Sequence, residues 1–298
     1  YHKETWNNKM INKAIILAGG MGTRMSPLTK AVNKQLLPLY DKPLIFYPLS
    51  ILMLAGIRNI LIIVNKGQLN QFRKILPQNN NLGIKIEYKE QLNPGGLPQA
   101  FTIGEKFIDN DNVSLILGDN FFYGQNLTSI LKKNTNFKKG AKIFLHPVKN
   151  PHQYGVATLD KNNKVVKLVE KPKKIKSNLA VTGLYFFDNK VVEFAKKLKP
   201  SKRGELEIID LLNIYKKKKI LNAEFIGRGG AWLDTGNIND FYNASNFIST
   251  IESRQGLKIA CLEEIAFNNK WIEKKEIKNS ILFYGNCEYS KYLRTLIN

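Results

Sequence analysis

The sequence predicts an α/β fold: a mixed, mainly parallel sheet flanked by helices, with inserted β-hairpin elements and a C-terminal helical extension. Three observations support this prediction. In the first half of the chain, short apolar runs alternate with helical stretches, which is typical of a Rossmann-like parallel sheet with right-handed crossovers. In the second half, GVATLD and KVVKLVEK flank the turn KNN and indicate a β-hairpin. From Asn237 onward the chain is mostly helical and rich in aromatic residues.

Each element of the first half follows from its local pattern. Buried strands are predicted for the apolar runs at residues 14–18, 59–65 and 113–117, and a half-buried strand for the alternating segment 84–90. Helices are predicted for the apolar run that Gly56 closes, for the amphipathic segment QLNQFRKIL and for residues 99–107.

The second half contains more β-structure. Strands are predicted for the two hairpin segments, for LAVTGLYFF and for AEFIG. Helices are predicted for VVEFAKKL, for ELEIIDLLNIYKKKK and for the long segment that follows Asn237, whose side chain is a suitable N-cap.

Length and composition favour one globular domain over residues 10–298, preceded by an N-terminal extension at 1–9. Two cysteines exclude a disulfide framework, and three histidines without a paired spacing exclude a zincin-type site. The longest charge-free apolar stretch, 44–57, is too short for a membrane span. The N-terminus has no apolar signal core, so we expect a cytoplasmic protein without a membrane partner.

The net charge of +22 indicates a basic surface. The 46 basic residues comprise 39 lysines and 7 arginines, and the lysines are spread along the chain. A nucleic-acid-binding module would rely more on arginine and would cluster its charges. We therefore expect no nucleic-acid partner, although a basic surface would attract small phosphorylated substrates.

The segment LAGGMGTR, residues 17–24, carries the first candidate site. Gly19, Gly20 and Gly22 allow the backbone to approach a phosphate closely, and Arg24 adds a bidentate donor. A tight structural turn is an equally good interpretation of the glycines alone. Lys34 lies ten residues after Arg24 and is a second candidate cation for the same phosphates.

Two aspartates are candidates for metal binding. Asp119 follows an apolar strand, and ligands of open parallel sheets bind beyond the carboxyl ends of the strands. Asp234, in GGAWLDTG, is its best partner as a second Mg²⁺ carboxylate. A helix N-cap for Asp119 and an Asx turn for Asp234 are the structural alternatives.

Three further segments combine charge with special backbone positions. EQLNPGGLPQA contains Gln91, whose amide is suited to a base edge. In VEKP, Glu170 is suited to sugar hydroxyls and Lys171 to a phosphate. In SKRGELEIID, Arg203 is predicted at a helix start, where anions are favoured.

The sequence resembles the glucose-1-phosphate thymidylyltransferases of the dTDP-rhamnose pathway. The resemblance rests on eight segments that occur in this order: LAGGMGTR, KQLLPLYDKPLIFYPLS, GDNFFYG, YGV, EKP, VTGLYFFD, RGELEI and AWLDTG. The resemblance extends from about Asn12 to Gly256 and continues more weakly into the tail. It implies Mg²⁺-dependent formation of dTDP-glucose and pyrophosphate from dTTP and α-D-glucose 1-phosphate. It also implies a homotetramer and inhibition by dTDP-L-rhamnose at a second nucleotide site. A UTP-dependent uridylyltransferase and a non-catalytic nucleotide-sugar sensor are the alternatives.

The resemblance assigns residues to these functions. The catalytic set that binds phosphates is Arg24, Lys34, Lys171 and Arg203. The nucleotide set is Leu17, Gly19, Gly20, Gly22, Thr23, Gln35, Gln91, Pro94 and Gly96. The sugar set is Leu117, Tyr154, Gly155, Glu170 and Val181, and the metal set is Asp119 and Asp234. The regulatory set is Tyr123, Gly124, Arg228, Glu252, Arg254 and Gln255.

The chain would then be divided by function into a mainly nucleotide-binding part (10–125), a mainly sugar-phosphate-binding part (126–236) and the helical extension (237–298). Gly95 stands where the family pattern has an Asp, which we expect to loosen the nucleotide loop. Gly230 replaces an aromatic residue beside the expected regulatory site.

Overall fold

A computed structural model of the protein describes residues 10–77, 79–136, 138–174 and 176–298. The predicted extension at 1–9 lies outside these residues. The strands are β1 Lys13–Ala18, β2 Pro38–Leu39, β3 Lys42–Pro43, β4 Asn59–Asn65, β5 Lys85–Gln91, β6 Val113–Leu117, β7 Asn120–Gly124, β8 Ala141–Pro147, β9 Gly155–Leu159, β10 Val165–Glu170, β11 Leu179–Phe187, β12 Leu221–Phe225 and β13 Gly230–Asp234.

The helices alternate with these strands and then form the C-terminal part of the chain. They are α1 Phe46–Leu54, α2 Leu69–Ile75, α3 Gln99–Ile103, α4 Glu105–Ile108, α5 Leu127–Thr135, α6 Val191–Lys196, α7 Ile208–Lys217, α8 Ile238–Gln255, α9 Leu262–Asn268, α10 Lys274–Tyr284 and α11 Glu288–Thr295. Within the described residues, every helix is too short or too polar to cross a membrane.

The central sheet has the strand order β5-β4-β1-β6-β11-β8-β12. The pairs β5–β4, β4–β1, β1–β6 and β8–β12 are parallel, whereas β11 is antiparallel to both of its neighbours. The β9–β10 hairpin attaches to the N-terminal half of β11. The predicted mixed, mainly parallel sheet with an inserted hairpin is therefore confirmed.

The sheet separates two hydrophobic cores. On one face, Ile16, Ile62 and Phe186 pack with α1, α2 and the C-terminal helices. On the other face, Ile15, Leu61 and Tyr185 pack with α3, α6 and α7. The consecutive residues Ile15 and Ile16 point to opposite faces, as the period of a strand requires, and both are fully buried.

A second sheet lies at the carboxyl edge of the first. It consists of β7 paired antiparallel with β13, so that Asp234 lies opposite Asn120. Helix α8 follows directly, and Asn237 caps it by accepting a hydrogen bond from the Asp240 N–H, as the sequence predicted. Because of this pairing, Asp234 lies beside the end of β6, more than 100 residues earlier in the chain.

Candidate functional site

The carboxyl ends of β1 and β6, the β7–β13 pair and the β9–β10 hairpin enclose a cleft of about 430 Å³. Fourteen of the residues predicted for the active site line it: Leu17, Gly19, Gly20, Arg24, Gln91, Pro94, Gly96, Leu117, Asp119, Tyr154, Gly155, Glu170, Val181 and Asp234. Six others lie outside the lining: Gly22, Thr23, Lys34, Gln35, Lys171 and Arg203. One cleft thus collects residues from segments spread over more than 200 positions.

The glycine-rich loop leaves β1 and bends sharply. Gly20 has a φ of +103°, and its N–H and carbonyl both bond the side-chain amide of Asn65, at 2.9 and 2.8 Å. A side chain at Gly19 would meet Gln91, because a β-carbon there would lie 2.5 Å from Gln91 Oε1. The loop is therefore fixed by Asn65, and its backbone faces the cleft with little side-chain bulk.

Lys34 is held in a short 3-10 turn next to this loop. Asn33 caps the turn: its Oδ1 accepts from the Gln35 N–H at 2.8 Å, and its Nδ2 donates to the Ala18 carbonyl at 3.2 Å. The Lys34 side chain is 8% exposed, and its Nζ lies 2.7 Å from Asp119 Oδ2. Lys34 therefore contacts the site through Asp119. The Gln35 side chain is buried, and its Oε1 has no hydrogen-bond partner among the described residues.

Asp119 is held from three directions. Lys34 pairs with Oδ2, Asn120 Nδ2 donates to Oδ1 at 2.9 Å, and Thr235 donates to the Asp119 carbonyl through both its N–H and its hydroxyl. Asn120 in turn accepts from the Gly183 N–H at 3.0 Å and from Trp232 Nε1 at 2.6 Å. These bonds connect Asp119 to β11 and β13.

The second aspartate shares its surroundings with Arg24. A β-carbon at Gly236 would lie 2.9 Å from Arg24 Nη2 and 3.1 Å from Asp234 Oδ1, so both groups face the same small volume. Burial and the neighbouring Asp119 carboxylate raise the pKa of Asp234 above its usual range. Burial also opposes ionisation of Asp119, but its Lys34 and Asn120 contacts outweigh burial and lower its pKa.

Two partly buried carboxylates that disfavour each other's charge suit a hard divalent cation, whose preferred ligands are oxygens. The donor set therefore fits Mg²⁺, with Asp119 and Asp234 as the residues that would hold it. In the described part of the chain, no group of three or more His, Cys, Asp or Glu side chains is placed to bind a metal ion. The remaining ligands would then come from substrate phosphates and water.

The loop after β5 lines the cleft and is bonded to the segment that precedes α7. Gly96 pairs with Leu206 in an isolated bridge, and the Leu206 N–H donates to the Gly95 carbonyl at 2.8 Å. The Gly95 N–H donates to Gln99 Oε1 at 2.8 Å, and the same oxygen accepts from Gln91 Nε2. Gly95 is thus bonded at both of its backbone groups, so the structure does not support the expectation that it loosens the loop.

The side of the cleft that carries the residues predicted for sugar binding is formed by the hairpin and β11. Glu170 and Gly155 are paired across β9 and β10, and a β-carbon at Gly155 would lie 3.2 Å from Glu170 Oε2. Burial raises the pKa of Glu170, an effect that the neighbouring Lys171 opposes. Lys171 follows the strand with a φ of +43° and is exposed, so the chain bends at this point.

The prediction of a helix start at Arg203 was wrong. Helix α7 begins only at Ile208, because the backbone of Leu206 is engaged with the Gly95–Gly96 loop. Arg203 is half-exposed and pairs with Glu207, with Nη2 at 3.0 Å from Oε1 and 3.1 Å from Oε2. Glu207 lines the cleft, so Arg203 lies at its rim rather than over a helix N-terminus.

The residues predicted for a second nucleotide site are only partly brought together. Tyr123, Gly124 and Gln255 line a cavity of about 240 Å³ to which α1, α5, α9 and the end of α8 contribute, and the Tyr123 hydroxyl donates to Gln255 at 3.5 Å. Arg228 and Arg254 are exposed and line neither this cavity nor the adjoining one of about 310 Å³ beside Gly230. Glu252 is buried and bound by two lysines, which does not support a role as ligand.

Several residues that build the site were missing from the sequence prediction. Asn33, Asn65, Asn120, Gln99 and Thr235 fix the loops by hydrogen bonds, and Trp232 packs against Tyr154 with ring centroids 5.0 Å apart. For Asn120, the sequence did contain a signal: it is the second of two polar residues that follow a buried strand. The contacts that Asn120 makes, however, depend on distant segments and could not be predicted.

The sequence profile of the nucleotidyl transferase family matches residues 13–251. The chain therefore belongs to the nucleotidyl transferase family, and the resemblance found in its motifs is confirmed.

Individual relatives narrow this class. The chain is 50% identical to the glucose-1-phosphate thymidylyltransferase of Neisseria meningitidis serogroup A over 285 residues, which cover 96% of this chain and 99% of the relative. The fold of this chain is similar to that of a Bacillus anthracis protein assigned as a glucose-1-phosphate thymidylyltransferase and solved with sucrose. The TM-score is 0.73 and the identity 39%, and the match covers 79% of this chain and 94% of that chain. The fold is also similar to that of a UDP-glucose pyrophosphorylase solved with UDP-glucose (TM-score 0.72, 28% identity, 81% of this chain and 100% of that chain).

Proposed function

We propose that this protein is a glucose-1-phosphate thymidylyltransferase, which forms dTDP-glucose and pyrophosphate from dTTP and α-D-glucose 1-phosphate. The observation that carries the proposal is the single cleft in which a glycine-rich loop, two aspartates and a polar hairpin wall face one another. The 50% identity to a thymidylyltransferase over nearly the whole chain supports the same substrates.

The reaction requires positioning and charge neutralisation. A phosphate oxygen of glucose 1-phosphate attacks the α-phosphorus of dTTP in line, and the bond from that phosphorus to the oxygen of the β-phosphate breaks, which releases pyrophosphate. No general base is needed, since the attacking phosphate is already ionised. The protein's part is therefore to hold two anionic groups together and to balance their charge.

The residues would divide this work by position. Arg24 and the glycine-loop backbone would bind the triphosphate, and Lys34 would contribute its charge from behind Asp119. Gln91, with Leu17 and Pro94, would surround the thymine and deoxyribose.

On the sugar side, Glu170, Tyr154 and Val181 would contact glucose, while Lys171 and Arg203 would bind its phosphate. Mg²⁺, held by Asp119 and Asp234, would supply positive charge to the phosphate oxygens. This proposal extends to the finer expectations from the sequence: the first step of dTDP-L-rhamnose synthesis in the cytoplasm, a homotetramer, inhibition by dTDP-L-rhamnose, and the division of the chain at residues 125 and 236.

A pyrophosphate-release assay with glucose 1-phosphate and Mg²⁺ tests the proposal, with dTTP, UTP, CTP, ATP and GTP compared in parallel. We expect a strong preference for dTTP that Asp119→Asn abolishes. Asp160→Asn is the matched control, because Asp160 lies in the β9–β10 turn, away from the cleft, and accepts only backbone N–H groups there. Preference for UTP would move the protein to the uridylyltransferases. No release with any nucleotide from a folded sample would refute the catalytic interpretation and make the sensor hypothesis the one to test.

A further inference from the structure

A group of four charged side chains, two of them buried, lies outside the cleft and takes no part in the proposed chemistry. Lys42 Nζ contacts Asp41 and lies 3.2 Å from Glu252 Oε1, while Lys258 Nζ contacts Asp41 and lies 3.3 Å from Glu252 Oε2. We call these four residues the ion network. Its two positive and two negative charges balance, and Lys42 and Glu252 are only 4% and 7% exposed.

The ion network connects two parts of the chain that are more than 200 residues apart. Asp41 and Lys42 lie at the β2–β3 hairpin, whereas Glu252 is near the end of α8 and Lys258 follows that helix. Glu252 Oε1 also accepts from the Ile259 N–H at 2.8 Å. The network therefore fixes the hairpin against the end of α8.

The same hairpin is joined to the turn that carries Lys34. Residues 33–36 form that turn, and the chain runs directly from it into β2. The Ile45 N–H donates to the Gln35 carbonyl at 2.9 Å, and the Leu44 N–H donates to the Leu37 carbonyl at 3.0 Å. A shift of the hairpin would thus move the backbone that directly follows Lys34.

Buried ion pairs contribute little net stability, because the cost of removing charges from water offsets much of their attraction. What they provide is a fixed geometry: each charge must stay near its partners. Lys34 in turn must keep its Nζ 2.7 Å from Asp119. The Lys34 contact with Asp119 and the Lys42 contact with Glu252 are both made from one short stretch of chain, residues 34–45.

We infer that Glu252 and Lys42 are positioning residues for Lys34, acting through the β2–β3 hairpin. This inference rests on the proposed function in one respect: the proposed function makes Lys34 important for catalysis. It replaces the interpretation of Glu252 as a ligand of a second nucleotide site. Lys258 also lines the cavity of about 240 Å³, so a molecule bound there would touch the ion network.

Two Glu→Gln variants separate positioning from stability. Glu252→Gln removes one charge from the ion network and keeps the side-chain shape. Glu263→Gln is the matched control, because Glu263 is equally buried in the C-terminal region but is bound by Tyr289 at 2.6 Å and has no contact with the hairpin. If Glu252→Gln fails to fold, Lys258→Met perturbs the same network at a more exposed member.

Hydrogen exchange of the ligand-free protein is the first readout. We expect Glu252→Gln to accelerate exchange of the amides of residues 35–37 and 44–45 by at least about tenfold, and Glu263→Gln to leave them unchanged. The second readout is steady-state kinetics. We expect kcat to fall about tenfold in Glu252→Gln while the KM for glucose 1-phosphate changes less than twofold, since small displacements of a catalytic group affect the rate strongly.

Unchanged exchange in residues 35–45 and a wild-type kcat in Glu252→Gln, whatever its melting temperature, would overturn the inference. If the wild-type protein transfers no thymidylyl group, the proposed function fails. The exchange measurement still decides in that case whether the ion network positions the Lys34 turn.

Discussion

Gly96 is the position at which one added methyl group should do the most damage to the cleft. Its φ of +98° is strained for any other residue, and a β-carbon there would lie 2.1 Å from the Leu206 carbonyl oxygen. Real β-carbons essentially never lie within 3.0 Å of such an atom, so the loop and Leu206 must separate by roughly 1 Å. That separation breaks the 2.8 Å bond from the Leu206 N–H to the Gly95 carbonyl.

A matched control separates the two contributions to the lost stability of Gly96→Ala, which are backbone strain and the broken hydrogen bond. Gly56 has a φ of +85° and nothing within 4 Å of an added β-carbon, so Gly56→Ala carries the backbone strain alone. Backbone strain of this kind costs about 1–3 kcal/mol. The lost hydrogen bond adds about 1 kcal/mol for Gly96→Ala. We therefore expect Gly96→Ala to be the less stable of the two variants by at least that amount.

Urea denaturation measures both stabilities, and calorimetric titration with dTTP measures the nucleotide site. We expect Gly96→Ala to weaken dTTP binding by about tenfold or more, because the loop would move Pro94 away from the base that we propose it contacts. This fold-change corresponds to about 1.4 kcal/mol. Gly56→Ala should bind normally. Equal stability of the two variants, with dTTP binding unchanged in Gly96→Ala, would refute the argument that the bridge to Leu206 shapes the nucleotide site.

Three further predictions concern charge. Lys34→Met should lower kcat about 100-fold, whereas Arg203→Gln should mainly raise the KM for glucose 1-phosphate, and steady-state kinetics distinguish the two. Asn120→Asp replaces a hydrogen-bond donor to Asp119 with a like charge. In a metal titration, the Mg²⁺ concentration for half-maximal activity should therefore rise at least about tenfold. An unchanged concentration would count against the hydrogen bond from Asn120 to Asp119. Burial raises the pKa of Glu263 above 4.5, so the stability associated with its neutral form is present below that pH and is lost as pH rises through the raised pKa. Melting curves from pH 4 to 8 should therefore decline with pH more steeply for the wild type than for Glu263→Gln, and parallel curves would contradict this.

The parts of the fold that the sequence predicted are those in which local pattern and burial agree. Strands such as β4 and β6 are continuous apolar runs because they are buried on both faces of the sheet. The β7–β13 pair was missed, since each strand has only five residues and its partner lies more than 100 residues away. Strand β8 and helix α5 were also missed.

The start of α7 was placed too early for a related reason. The pattern ELEII continues the helical periodicity, but tertiary contact with Gly96 holds Leu206 in extended backbone. Tertiary contacts also decide which site residues can be predicted. Charged residues and glycines in recognisable motifs could be proposed from the sequence, whereas Asn120 could not. Its function depends on simultaneous bonds to Asp119, Gly183 and Trp232, which no local pattern contains.

Burial also explains why the two cations of the charge predictions should act differently. The Lys34–Asp119 pair is largely removed from solvent, with side-chain exposures of 8% and 23%, so separating it would leave an unpaired charge at considerable cost. The Arg203–Glu207 pair has an arginine that is 50% exposed, and exposed pairs contribute only about 0–1 kcal/mol. We therefore expect a substrate phosphate to take Arg203 from Glu207, and Lys34 to stay beside Asp119 during the proposed reaction. On this argument, Arg203 would determine how well the sugar phosphate binds, and Lys34 would determine how fast the bound substrates react.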